Sequence, residues 1–194
     1  MEAFRLRWST LPGYVGYDYV LNSVELAIAV ATPSAYYRNG TKAMLYGGLL
    51  FLMAMQLVRA VDNEGVRWTP NGTAIGTILT ESTYTKFLEK AGCNNGAGNS
   101  SVFPDIPALD ITYSALMTSH LLEETEALPL SQDLPADKVF FMTVCYLTCA
   151  KSSGQDPIAA DCNKLVQSSE YFAEAFKCPK GYKMNPEKKC SFFT

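Results

Sequence analysis

Residues 46–65 read YGGLLFLMAMQLVRAVDNEG, and this stretch decides the fold. It lies largely within an uncharged, mostly apolar run of sixteen residues bracketed by Lys42 and Arg59. Spanning a bilayer takes roughly 18–20 such residues, and this run also contains Gly47, Gly48 and Gln56. The expectation is a buried core helix over residues 43–61, with no transmembrane segment in the chain. Met55 and Arg59 stand one helical turn apart and so share a face. Asn63, Glu64 and Gly65 mark the loop that follows.

The chain has 194 residues, enough for one domain with a substantial core. Its formal net charge of −3 argues against nucleic acid as a partner. Lys177, Lys180, Lys183, Lys188 and Lys189 cluster near the end and read as a solvated face. Six cysteines, at 93, 145, 149, 162, 178 and 190, suit a disulfide framework formed in the secretory pathway. No C-x-x-C occurs, which disfavours a zinc knuckle or a thioredoxin-like site. Three N-x-[ST] sequons, at Asn39, Asn71 and Asn99, point to the same compartment. Residues 1–11 carry Arg5 and Arg7 but no apolar run of signal-peptide length, so an incomplete chain or a truncated product is expected.

Along the chain, residues 24–31 (VELAIAVA) read as a strand before the Thr32-Pro33 break. Helices are expected over 81–91, closed by Gly92, over 111–127, over 136–149 and over 170–176. Pro129 and Pro135 enclose the turn between the helices over 111–127 and 136–149. Residues 94–101 (NNGAGNSS) read as a surface loop. The expected class is mainly α (α+β), a central helix bundle with a few short edge strands.

The stretch 46–65 resembles the zinc helix of the neprilysin and endothelin-converting-enzyme family. There a Y-G-G-I-G run leads into a helix carrying H-E-x-x-H, then G-F-D and a glycine. Tyr46, Gly47, Gly48, Asp62 and Gly65 match that frame, and Met55, Gln56, Leu57, Val58 and Arg59 occupy the zinc motif. Residues 170–190, EYFAEAFKCPKGYKMNPEKKC, resemble the family's ending in register: F-x-E-A-F, a cysteine, then M-N-P-x-x-K-C. Residues 22–37 are similar to the segment ahead of the zinc helix, and Phe140, Phe141 and Cys149 fit F-F-x7-C. The resemblance covers about residues 15–190. It implies a thermolysin- and neprilysin-like zinc-lobe (gluzincin) domain over 15–194, with 1–14 a poorly matched segment.

The resemblance also implies what has been lost. Met55 and Arg59 replace both histidine ligands; a thioether is too soft for this site and a guanidinium is permanently charged. Gln56 replaces the general base. Phe103 falls at the third ligand, the family glutamate of E-N-I-A-D. Asp105 would be that ligand under a shifted register, but Pro104 and Pro107 are expected to break the helix such a ligand needs. Gln155 replaces the histidine that stabilises the tetrahedral intermediate, and Asp161 the substrate-binding arginine. The N-A-[YF] substrate clamp corresponds to Gly16-Tyr17-Asp18. The only histidine, His120, reads as a surface residue, and Glu123, Glu124 and Glu126 as a solvated face. Arg59 on the inner face is expected to find a carboxylate in Asp105 or Asp110.

In the family, the counterparts of Cys93 and Cys190 pair. Those of Cys149 and Cys178 pair with cysteines absent here, so these two either join each other or lack partners. Cys145 and Cys162 have no counterpart, and a bond between them is the simplest arrangement. Zinc is the family's cofactor, but with its ligands replaced none is expected here, nor proteolysis by the family mechanism. The expected function is that of an extracellular or secretory-pathway pseudopeptidase binding a peptide or extracellular protein. The alternative is an inactive fragment or decaying paralogue of a secreted zinc metalloendopeptidase.

Overall fold

A computed structural model describes residues 15–93, 103–122, 134–148 and 162–193. The described chain opens with an antiparallel hairpin of β1 (Val15–Asp18) and β2 (Ser23–Leu26), which pairs Tyr17 with Val24. Asp18 Oδ1 accepts from the backbone N–H groups of Val20 and Leu21 at 2.9 and 3.0 Å, and this closes the turn. The strand expected over 24–31 therefore ends early. Residues Ile28–Val30 form a 3-10 turn instead. Among the described residues the ladder ends where Val15 pairs with Leu26. The turn leaves Ile28 92% exposed and brings Val30 into the core.

The expected single helix over 43–61 is a continuous helical run of four parts. These are α1 (Lys42–Leu45), a wider π-type segment (Tyr46–Leu50), α2 (Phe51–Leu57) and a 3-10 turn (Val58–Val61). Thr41 caps its start, its side chain accepting from Met44 N at 3.2 Å. The distortion comes from the glycine pair. Gly48 takes φ −102°, ψ −107°, outside helical values, and the next residue's amide, Leu49 N, donates to Ala35 O at 2.8 Å. A Cβ on Gly47 would lie 2.4 Å from Phe140 O, and one on Gly48 2.4 Å from Ala35 O. Two backbones thus approach the helix where no side chain fits. By length and composition the run 42–67 could cross a membrane. Here, however, Ala43, Phe51, Leu52, Ala54, Met55 and Val58 are buried in the protein.

Helix α3 (Glu81–Ala91) follows as expected, with Thr80 as its N-cap. It buries no residue of its own. Instead it is tied to the chain end: Phe87 meets Phe192 edge-on at 5.7 Å, Lys90 Nζ donates to Phe192 O at 3.1 Å, and Cys93 is bonded to Cys190. Helix α4 (Asp105–Leu122) starts six residues before the expected 111. Pro104 and Pro107 do not break it, because Pro104 precedes the first turn and Pro107 lies within it. There the backbone N–H groups have no helical partner to lose, and Ala108 N still donates to Pro104 O at 3.1 Å.

Helix α4 packs on α2, while α5 (Ala136–Thr148) packs on α1 and the π-type segment, and Leu109, Leu116, Phe140, Phe141 and Val144 fill the core at 0–1% exposure. Tyr113 stacks on Phe141 at 5.3 Å. A short α6 (Cys162–Val166), not foreseen from the pattern, is joined to α5 by the Cys145–Cys162 bond. Helix α7 (Glu170–Ala175) is capped by Ser169, whose hydroxyl accepts from Phe172 N at 3.2 Å. Asn185 then folds the tail back: its Nδ2 donates to Cys178 O at 2.7 Å and its backbone N–H to Tyr182 O at 2.8 Å.

Gly48→Ala should lower unfolding stability by about 3 kcal/mol, as expected for forcing atoms into a filled core. Urea titration of the two proteins measures this. Unchanged or raised stability would contradict the packing account.

Candidate functional site

Helix α2 and the 3-10 turn after it place the zinc-motif positions on differing surroundings. Met55 is 9% exposed and belongs to the apolar core, Leu57 is 56% exposed, and Gln56 and Arg59 are half-buried. Met55 therefore packs the interior. Arg59 only partly does so: its Nε is buried and has no hydrogen-bond partner among the described residues. A buried guanidinium N–H left unpaired costs stability, because water's hydrogen bond is not replaced.

Three groups surround Arg59. The Tyr19 hydroxyl donates to Asp62 Oδ2 at 2.7 Å. Burial and then that bond push the Tyr19 hydroxyl up to about 12, against a smaller opposite pull from Arg59. The other oxygen, Asp62 Oδ1, accepts from the backbone N–H groups of Glu64 and Gly65 at 2.8 and 2.7 Å. A Cβ on Gly65 would lie 2.2 Å from Arg59 O. Asp62 and Gly65 thus shape a tight turn, a structural use of this part of the frame that needs no metal.

The third neighbour is Asp105. In the first turn of α4, burial pushes its carboxyl up to about 6, and Arg59 counters that rise. Asp110 is also pushed up to about 6, by burial alone. Of the two carboxylates expected to answer Arg59, neither forms an ion pair with it among the described residues; Asp105 alone feels its charge, at a distance. Phe103 stands outside α4 and packs with Phe87 and Phe192 at 5.8 and 5.2 Å. It therefore anchors α3 and the chain end, while α4 brings Asp105 towards the zinc helix.

This donor set does not fit zinc. It offers a buried thioether, a permanent cation and a carboxyl that burial biases towards its neutral form, whereas such sites need imidazole and ionised carboxylate. Among the described residues no three His, Cys, Asp or Glu side chains gather as a metal would require. Gly16, Tyr17 and Asp18 lie in or beside the hairpin as β1. Gln155, Asp161, Cys149, Asn99, Glu123, Glu124, Glu126 and the side chain of His120 lie outside the described residues. Cys178 has no disulfide among the described residues. The hydrogen-bonded pair Tyr19 and Asp62 escaped sequence reasoning, since 43 positions separate them.

Two outcomes follow from the buried carboxyls. Folded Asp105 and Asp110 hold protons up to about pH 6, whereas an unfolded carboxylate releases its proton near pH 4. The folded state therefore binds more protons in that window, and stability should fall as pH rises from about 4 to 6. Asp110→Asn should flatten that slope in denaturant titrations across the window. Arg59→Met should raise the Asp105 pKa above its parent value, because the only opposing charge is gone. Carboxyl-carbon NMR titration reads that shift, and a fall would refute the placement of Arg59.

Comparison with known proteins gives the lineage. The family model Peptidase family M13 matches residues 83–192, more than half of the chain. The chain is 25% identical over 219 residues to endothelin-converting enzyme-like 1 of Homo sapiens, covering 98% of this chain and 28% of that protein. It is 22% identical over 209 residues to neprilysin-1 of Caenorhabditis elegans, covering 90% and 27%. It thus spans just over a quarter of the length of these relatives. Among solved structures, the Haemonchus galactose containing glycoprotein complex superposes with a TM-score of 0.78 at 22% identity, over 92% of this chain and 32% of that one. The Mycobacterium tuberculosis zinc metalloprotease ZMP1 in complex with inhibitor gives 0.71 at 15% identity, over 91% and 32%. The fold is that of the mainly α zinc lobe, and the chain belongs to peptidase family M13.

Proposed function

We propose that this domain is a pseudopeptidase of the secretory pathway or cell exterior, which binds a peptide or extracellular protein without cleaving it. One observation carries the reading: Met55 is packed in the core and Arg59 sets a permanent positive charge, felt by Asp105, on the helix face that would have to bind metal. Metal-assisted hydrolysis needs an ion that lowers the pKa of its bound water, and a base to take the proton. A guanidinium coordinates no water as a Lewis acid does, and the Gln56 amide accepts no proton at neutral pH.

Binding needs neither group. An extended peptide can add to the edge of a small sheet by main-chain hydrogen bonds, with side-chain pockets supplying selectivity. Beside the β1–β2 hairpin, Leu26 and Ile28 are 42% and 92% exposed and offer apolar contact to such a peptide. The two disulfides support an oxidising compartment.

Purified protein should carry no stoichiometric zinc and should turn over no member of a peptide panel in a chelator-sensitive way. The panel should still yield binders by fluorescence anisotropy, and Ile28→Asp should weaken them at least tenfold. Chelator-sensitive cleavage would overturn the pseudopeptidase reading. Binders indifferent to Ile28→Asp would overturn the place given to the peptide.

A further inference from the structure

We infer that Asn71 is an N-glycosylation site, held at the tip of a fixed hairpin beside β1 and β2. This does not rest on the domain being a pseudopeptidase. Asn71, Gly72 and Thr73 form one of the chain's three sequons, and the fold treats two of them differently.

The segment 68–74 closes on itself. Trp68 and Ala74 form an antiparallel bridge, Thr69 N donates to Thr73 O at 2.9 Å, and Gly72 N donates to Thr69 O at 2.9 Å. Thr69, Pro70, Asn71 and Gly72 are thus the four residues of a β-turn, with proline at the second position, where its fixed φ suits the turn. Gly72 takes φ +75°, and a Cβ there would lie 2.4 Å from Val20 O. Glycine is required twice over, by the left-handed backbone and by contact with the β1–β2 turn. The tip is therefore braced. At its apex Pro70, Asn71 and Thr73 are all exposed, so a bulky glycan would project into solvent without displacing a contact.

Asn39 makes the contrast. It too is exposed, in a turn where Gly40 N donates to Tyr37 O at 2.9 Å. Its sequon threonine, however, is Thr41, whose half-buried side chain caps α1 by accepting from Met44 N. Thr73 of the sequon at 71, by contrast, is exposed and lies in no helix start.

The chemistry balances with one co-reactant, a lipid-linked oligosaccharide pyrophosphate. Asn71 Nδ2 bonds to the anomeric carbon as that carbon's bond to the pyrophosphate oxygen breaks. The lipid pyrophosphate leaves with the electron pair, and one Nδ2 proton passes to a base of the transferase. Oxidising compartments that form bonds such as Cys93–Cys190 and Cys145–Cys162 also house this reaction in animal cells, the source of the human and nematode relatives.

The test secretes the full chain from animal cells and treats it with PNGase F in heavy-oxygen water, followed by peptide mapping. The expected result is heavy-labelled aspartate at position 71. On gels, Asn71→Gln and Thr73→Ala should each remove one enzyme-sensitive mobility step, and Thr73→Ser should keep it. Unmodified Asn71 in the secreted wild-type chain, or an unchanged step in Asn71→Gln, would overturn the assignment. If the variants fail to be secreted, mapping of the wild-type chain decides alone.

Discussion

Everything central to this domain is arranged around the glycine pair in its core helix. At Gly47 the backbone of α5 presses in through Phe140 O, and at Gly48 the preceding loop does so through Ala35 O. Helices bearing side chains at these points would be held further apart by at least the width of a methyl group. The contact lets Phe140 and Phe141 reach full burial, and Tyr113 of α4 packs against both rings. It also fixes the rotation of α2, and with it which residues face α4. The positions that match the family's metal motif are thus set by a backbone contact a full turn or more away.

That separation gives the frame a structural use independent of any metal. Gly47 and Gly48 serve packing, while Asp62 and Gly65 serve the turn that ends the helical run. Asn185 ties the tail to Cys178 O, and Ser169 caps α7. None of these roles involves zinc. Met55 even gains by the change, since a thioether packs an irregular interior better than a polar ring would. Arg59 is the imperfect replacement. It keeps a buried N–H unpaired and shares its surroundings with a carboxyl whose burial resists ionisation.

The parts of the fold legible in the sequence are those where one strong local signal operates. Helix α3 begins at a capping threonine and ends at Gly92, and the glycines and Asp62 mark the helical run by their spacing. Where signals compete, the reading fails in a physical way. Residues 24–31 look like a strand by composition, but a strand needs a neighbour, and among the described residues β1 offers one only as far as Leu26. Pro104 and Pro107 look like helix breakers, yet the first turn of a helix tolerates them. That Asp105 feels the Arg59 charge depended on that same point, because the helix had to begin early enough to carry Asp105. Tyr19 beside Asp62 had no local signal at all.

The bond between Cys93 and Cys190 has a topological consequence. It converts the chain from residue 93 to residue 190 into a covalent ring that contains α4, α5, α6 and α7, with the Cys145–Cys162 bond as a smaller ring inside it. A single cut anywhere in that ring opens it without dividing the molecule. Both new ends stay attached to the same body, and the core helix before the ring keeps its partners. Under attack by a protease, one peptide bond in the ring can be lost while the protein remains one piece.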